Sequence, residues 1–187
     1  MKKSDATRER ILNAATAEFA SYGIAGARVD RIAESAAANK NLIYVYFGSK
    51  EKLFEAVLGK HLEEAYERVP FSPEDLPGYA ACSFDFLMDH PDLTRLLVWY
   101  GLEQRSNQPE QRHASFAHKL RAIAKEQRAG NLNREVPPAV LLSAITAIAS
   151  AWTAINPFGS AIDPNAMKHR KALRKAIVQV VERVVKP

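Results

Sequence analysis

The sequence predicts an all-α protein. Apolar residues recur every three or four positions through most of the 187 residues, which is the spacing of one buried face on a helix. No stretch alternates apolar and polar residues over the length of a strand. Proline, glycine and asparagine separate the periodic segments, as they commonly do at helix ends. We therefore expect a series of helices joined by turns.

The first helix is predicted from Ala6 to Tyr22. Its apolar side chains fall on one stripe: Ile11, Leu12, Ala15, Phe19 and Tyr22. Gly23 is expected to end the helix, because glycine adopts the left-handed conformation of a helix end without steric cost.

Two short helices are predicted next. Val29, Ile32 and Ala33 mark the second helix, and Asn39 is suited to cap the third because its side-chain oxygen can accept a hydrogen bond from a first-turn amide. A turn of three alanines, residues 36–38, separates them. This arrangement predicts a helix-turn-helix, in which the second short helix enters the major groove of DNA.

The segment from Thr7 to Leu58 resembles the N-terminal domain of the TetR family of bacterial transcriptional regulators. The matching positions follow one another at the family's spacing: Ile11, Ala15, Phe19, Gly23, Val29, Ile32, Ala33, Tyr44, Tyr46, Phe47, Ser49, Lys50 and Leu53. The resemblance implies an N-terminal helix-turn-helix domain at residues 1–50 and a C-terminal ligand-sensing and dimerisation domain at residues 70–187. Two positions differ, since the family usually has glycine at Ala37 and threonine or serine at Ala27.

Seven residues are candidates for contacts with double-stranded DNA: Arg28, Asn39, Lys40, Asn41, Leu42, Tyr44 and Lys50. The three at the start of the third helix are candidates for reading bases, because asparagine can pair with adenine and lysine can donate to guanine. Leu42 is a candidate for contact with a thymine methyl group, and Arg28 for a phosphate or the minor groove. The resemblance implies that Tyr44 and Lys50 bind phosphate. The alternatives for Lys40 and Tyr44 are an ordinary exposed charge and a packed aromatic ring.

A connector helix is predicted from Lys50 to Val69, and three prolines within residues 70–77 then mark a domain boundary. Further helices are expected over residues 76–89, 91–106, 109–129, 137–156 and 163–185. The segment 137–156 carries no charged residue, yet flanking prolines and four hydroxyl side chains argue against a membrane span. We expect it to be buried on several sides.

The resemblance implies that the last two long helices pair with those of a second copy in a homodimer. The residues expected at this interface are Ile148, Trp152, Ile177, Val181 and Val184. A two-fold dimer would bind an inverted-repeat operator.

The resemblance also implies a pocket for a small apolar or aromatic effector that releases a repressor from its operator. Five aromatic residues are candidates to line it: Phe86, Trp99, Tyr100, Phe116 and Trp152. For each of them, plain hydrophobic core is the alternative.

Composition limits the other functions. The net charge is +5, and residues 1–60 hold 10 Lys and Arg against 7 Asp and Glu, a mild excess on the side expected to meet phosphate. Cys82 is the single cysteine, so no intramolecular disulfide can form, and we expect a cytoplasmic protein. The five histidines lack metal-ligand spacing and no glycine-rich phosphate loop occurs, so we expect no enzyme activity, metal or cofactor. An architectural DNA-binding protein without an effector, or a small-molecule binding protein without DNA function, remain alternatives.

Overall fold

The protein is described by a computed structural model that covers residues 3–103, 110–156 and 158–187. The all-α prediction is confirmed, because these residues form ten α-helices, one short 3-10 helix and no strand. The α-helices are α1 Lys3–Gly26, α2 Val29–Ser35, α3 Lys40–Phe47, α4 Lys50–Arg68, α5 Leu76–Asp89, α6 Pro91–Glu103, α7 Glu110–Ala129, α8 Pro138–Ser150, α9 Phe158–Ile162 and α10 Arg170–Val185. The 3-10 helix is Ala166–His169. No helix within the described ranges is long and apolar enough to cross a membrane.

The helices group into two compact units. The N-terminal unit contains α1, α2, α3, α6 and the part of α4 that ends at Glu64. The C-terminal unit contains the end of α4, α5 and the chain from α7 onward. The division expected from the sequence placed α6 with the C-terminal domain, whereas the structure packs it with the N-terminal helices.

Polar contacts explain why α6 belongs to the N-terminal unit. The Nε atom of Arg95 and the indole nitrogen of Trp99 both donate to the carbonyl of Ala20, at 2.8 and 3.3 Å. The carboxylate of Glu103 accepts from the backbone amides of Ile24 and Ala25, each at 3.0 Å. These groups satisfy backbone atoms at the end of α1 that its own helical bonds leave open.

Gly23 has the positive φ expected of it, at 68°, but its ψ of −177° is extended and not left-handed helical. Its effect differs from the prediction, because helical structure continues to Gly26 and Gly23 forms a kink. A Cβ atom at Gly23 would lie 2.7 Å from the Trp99 ring, so the close approach of α6 also requires glycine. Tyr22 lies outside the buried stripe and is 52% exposed, with the Arg31 guanidinium 4.3 Å from its ring centroid.

A compact apolar core holds the N-terminal helices together. Ile11, Ile32, Ile43 and Leu53 come from four different helices and are all at most 1% exposed. Phe19 of α1 meets Phe54 of α4 edge to face, with ring centroids 5.2 Å apart. Because Ile43 is buried in this core, one face of α3 packs against it, as amphipathic spacing requires.

The core of the C-terminal unit lies among α5, α8 and α10. Phe84, Leu141, Ile145 and Val181 are fully buried there. Arg170 and Arg174 on α10 add ion pairs to Asp85 on α5, at 3.3 and 2.6 Å. Two boundaries differ from the sequence prediction, because α8 ends at Ser150 and the 3-10 helix precedes α10.

The expected dimer-interface residues lie mostly inside the subunit's own core. Ile177 and Val181 are 2% and 0% exposed, and their α10 face packs on α5 and α8. Ile148, Trp152 and Val184 are partly buried against the same core. Residues at a spacing of four share one face of a helix, so Ile177 and Val181 both face this core, whereas Val180 points elsewhere. Val180 is 45% exposed.

The turn between α2 and α3 provides a test of backbone strain. Ala37 has φ 47°, and it is the one non-glycine residue with positive φ in the described ranges. An L-residue in this conformation is destabilising by about 1–2 kcal/mol, and glycine relieves that strain. Glycine also loses more chain entropy on folding, which offsets part of the gain. We expect Ala37→Gly to raise the free energy of unfolding in urea by about 0.5–1 kcal/mol. The neighbouring Ala38→Gly, which relieves no such strain, should lower it, and a lower value for Ala37→Gly would contradict this explanation.

Candidate nucleic-acid interface

α3 has one buried face and one exposed face. Ile43 and Phe47 are 1% and 7% exposed and fix the helix to the N-terminal core. Lys40, Asn41 and Tyr44 are exposed on the remaining surface. Val45 is 76% exposed beside them. This combination leaves an outer face that a DNA groove can receive.

The start of α3 is capped as the sequence predicted. Asn39 is the N-cap residue, and its side-chain oxygen accepts a hydrogen bond from the Asn41 amide at 2.8 Å. The cap fixes the first turn of α3, which carries Lys40 and Asn41. Leu42, in the same turn, is half-buried.

Lys40 has an ion-pair partner that sequence reasoning missed. Its ammonium lies 2.7 Å from the carboxylate of Asp30 on α2. The hydrogen bond from Lys40 lowers the pKa of Asp30, and the same bond raises the pKa of Lys40. Both side chains remain partly exposed, at 46% and 60%, so the pair lies at the surface of the N-terminal unit.

Glu18 links α1 to the beginning of α2. One carboxylate oxygen accepts from the Arg28 amide at 2.8 Å and from Nε and Nη2 of Arg31 at 2.8 and 2.5 Å. Burial raises the pKa of Glu18, but these hydrogen bonds and the nearby positive charges outweigh it, so the pKa lies below its usual value. No helical spacing relates Glu18 to residues 10 and 13 positions away, and the sequence therefore gave no sign of this site.

Arg28 and Lys50 flank the helix-turn-helix in different environments. Arg28 is exposed at the N-cap of α2, where its side chain makes no capping hydrogen bond. Lys50 is half-buried, and its Nζ lies 3.4 and 3.3 Å from the carbonyls of Ala25 and Ala27. Lys50 therefore holds the segment before α2 in addition to any contact with phosphate.

The five aromatic residues expected to line one pocket are divided between the two units. Trp99 and Tyr100 belong to the N-terminal unit, where Tyr100 stacks on Phe54 with ring centroids 6.5 Å apart. Phe86, Phe116 and Trp152 belong to the C-terminal unit. The division follows from α6, whose polar contacts with α1 bring its aromatic residues into the N-terminal core.

A cavity of about 620 Å³ lies in the C-terminal unit. Residues of α7 and α8 line it together with Ile155, Asn156 and Phe158, and the α7 and α8 residues include Phe116, Leu120, Ser143 and Thr146. Phe116 is the expected pocket residue that lines this cavity, whereas Phe86 stacks on His90 with ring centroids 3.9 Å apart. Trp152 packs on the adjoining core. The described residues contain no group of three or more His, Cys, Asp or Glu side chains that could hold a metal ion.

Two family models match the chain, one in each half. Residues 11–57 match the model described as bacterial regulatory proteins of the tetR family. Residues 75–183 match the model described as the tetracyclin repressor-like C-terminal domain. The first match contains α2 and α3 entirely, and the second spans α5 to most of α10.

Individual proteins agree with these matches. The HTH-type transcriptional repressor SCO4008 of Streptomyces coelicolor is 37% identical over 187 residues, which is 96% of this chain and 97% of that protein. The HTH-type transcriptional repressor NicS of Pseudomonas putida is 33% identical over 133 residues, covering 67% of this chain and 59% of NicS. The crystal structure of the transcriptional regulator SCO4942 from Streptomyces coelicolor has a TM-score of 0.83 at 37% identity, covering 97% of this chain and 99% of that one. The chain therefore belongs to the TetR family of DNA-binding transcriptional regulators.

Proposed function

We propose that this regulator is a repressor that binds an inverted-repeat operator as a homodimer and leaves it when a small molecule binds the C-terminal unit. The main support for the proposal is the outer face of α3. Its polar side chains are exposed, whereas Ile43 and Phe47 on the opposite face are buried in the core. The names of SCO4008 and NicS support repression as the direction of control. An intact reading face also argues against a binding protein that has lost its DNA function.

Asn41 and Lys40 are the best-placed residues to read bases. Both are exposed in the first turn of α3, the part of a recognition helix that meets base edges. Asn41 would pair with adenine, and Lys40 would donate to guanine after leaving Asp30. Tyr44 is 43% exposed one turn later, where its hydroxyl would bind phosphate. Arg28, Lys50 and the side-chain amide of Asn39 would add contacts at the edge of this surface.

An effector would act through linkage. The cavity lined by Phe116 and Leu120 shows that the C-terminal unit has room for a small apolar or aromatic molecule. Such a molecule must weaken DNA binding by the same factor by which DNA weakens its own binding. An architectural protein without an effector would bind many sites and respond to no small molecule.

The first test uses duplexes selected by the protein from a random pool, with binding followed by fluorescence anisotropy. We expect a selected inverted repeat, and affinity that falls steeply with salt because phosphate contacts release counterions. Asn41→Ala should relax the preference at one base pair per half-site, worth about 1–3 kcal/mol of discrimination. Tyr44→Phe should weaken all duplexes alike. Unchanged base preference in Asn41→Ala would refute the assigned reading helix.

A second test concerns the dimer and uses two adjacent valines. Val181 is fully buried in the subunit core, so Val181→Asp should unfold the protein, at a cost of several kcal/mol for an unpaired buried charge. Val180 is 45% exposed on the same helix, so Val180→Asp should leave a folded monomer. Circular dichroism reports folding and light scattering reports mass. A folded dimer in the Val180→Asp variant would show that α10 does not form the interface.

A third test addresses Asp30 as a restraint on DNA binding. Removing its charge frees Lys40 and removes repulsion of phosphate, so Asp30→Asn should bind every duplex about 2- to 5-fold more tightly at low salt. The increase in affinity should be proportionally larger for unselected DNA than for the selected operator. The ratio of specific to non-specific affinity should therefore fall. Glu182→Gln on α10 provides the charge-matched control. Weaker binding by Asp30→Asn would show that the pair instead holds α3 in place.

A further inference from the structure

Lys119 is a buried cation in the C-terminal unit. It lies on α7 and is only 9% exposed. Its ammonium donates one hydrogen bond, of 2.8 Å, to the hydroxyl of Tyr79 on α5. An ammonium group has three N–H donors, so this one bond leaves most of its capacity unused.

Three aromatic rings surround the ammonium. The ring centroids of Tyr79, Phe71 and Tyr66 lie 4.6, 5.4 and 5.9 Å from Nζ. The rings of Phe71 and Tyr79 meet edge to face at 5.1 Å and so hold one another in place. Cation–π attraction offsets part of the cost of removing the charge from water.

A carboxylate partner is missing at this position. Arg170 and Arg174, in the same unit, each pair with an aspartate, whereas no ion pair of Lys119 occurs among the residues that the structure describes. A buried charge without a counterion is unfavourable, and an anion placed against it would remove that cost. The surroundings therefore match those of an anion site that its ligand completes.

We propose that Lys119 and Tyr79 bind the carboxylate of a small aromatic acid. Both groups would donate to the carboxylate, and charge-assisted bonds of this type are the strong ones. The ring of the acid would pack against Tyr66 and Phe71, of which Tyr66 is 39% exposed and gives access from solvent. The proposal rests on the proposed function, since it names the effector class. It places that effector beside Lys119 and not in the cavity lined by Phe116. The described residues that line the cavity at Phe116 are all uncharged, so that cavity would not select an anion.

The test compares benzoate, phenylacetate and 3-phenylpropanoate with their neutral amides at millimolar concentration, without DNA. We expect at least one acid to raise the thermal midpoint of the protein well beyond its amide. Lys119→Met should fold, melt no lower than the natural protein, and bind that acid about 10- to 100-fold more weakly in calorimetry, the loss expected for a charge-assisted hydrogen bond. Tyr79→Phe keeps the ring and should bind it several-fold more weakly.

Thr146→Val, in the cavity lined by Phe116, is the matched control and should bind the acid normally. Equal shifts from acids and amides would overturn the proposal, as would an acid-specific shift that persists in Lys119→Met and Tyr79→Phe. A Lys119→Met variant that melts lower while acids have no effect would assign Lys119 a purely structural role. Operator release is measured separately. An acid that binds through Lys119 and leaves operator affinity unchanged would refute the proposed induction mechanism while the site stands.

Discussion

The carboxylate of Glu18 fixes the position of α2, and the orientation of α3 depends on α2. One of the carboxylate oxygens accepts hydrogen bonds from the Arg28 amide and the Arg31 guanidinium, which links the start of α2 to α1. α2 in turn leads through the strained turn at Ala37 into α3. A displacement of α2 would carry α3 with it, because Ile32 and Ile43 pack in one core. A half-buried ion pair thus orients α3 without contacting the exposed side chains of that helix.

α6 stabilises the same domain through contacts with the C-terminal end of α1. Arg95, Trp99 and Glu103 all bond to the backbone of residues 20–25, around the kink at Gly23. Lys50 contacts carbonyls at residues 25 and 27 from α4. The segment between α1 and α2 is therefore held by charged groups of two other helices, and its geometry is a property of the whole N-terminal unit.

The C-terminal unit accommodates its positively charged side chains in two ways. Arg170 and Arg174 meet aspartates of α5 and hold α10 against it. Lys119 instead lies among aromatic rings and one hydroxyl, a polarizable setting that tolerates a cation without neutralising it. The first arrangement serves packing between helices, and the second leaves a charge for a ligand to meet.

The sequence by itself determined the helices and the family, because both depend on local spacing. The 3.6-residue period located α1, α4, α5 and α7 to within a few residues, and Asn39 signalled the start of α3. Tertiary structure decided which side of each element faced inward. Ile177 and Val181 entered the subunit core, and Trp99 and Tyr100 joined the N-terminal unit, because their partners lie tens of residues away. The pairs Lys40 with Asp30, Glu18 with Arg31 and Lys119 with Tyr79 likewise form only when separate helices meet. Periodicity specifies that a face is buried, whereas the chain's three-dimensional path selects what it is buried against.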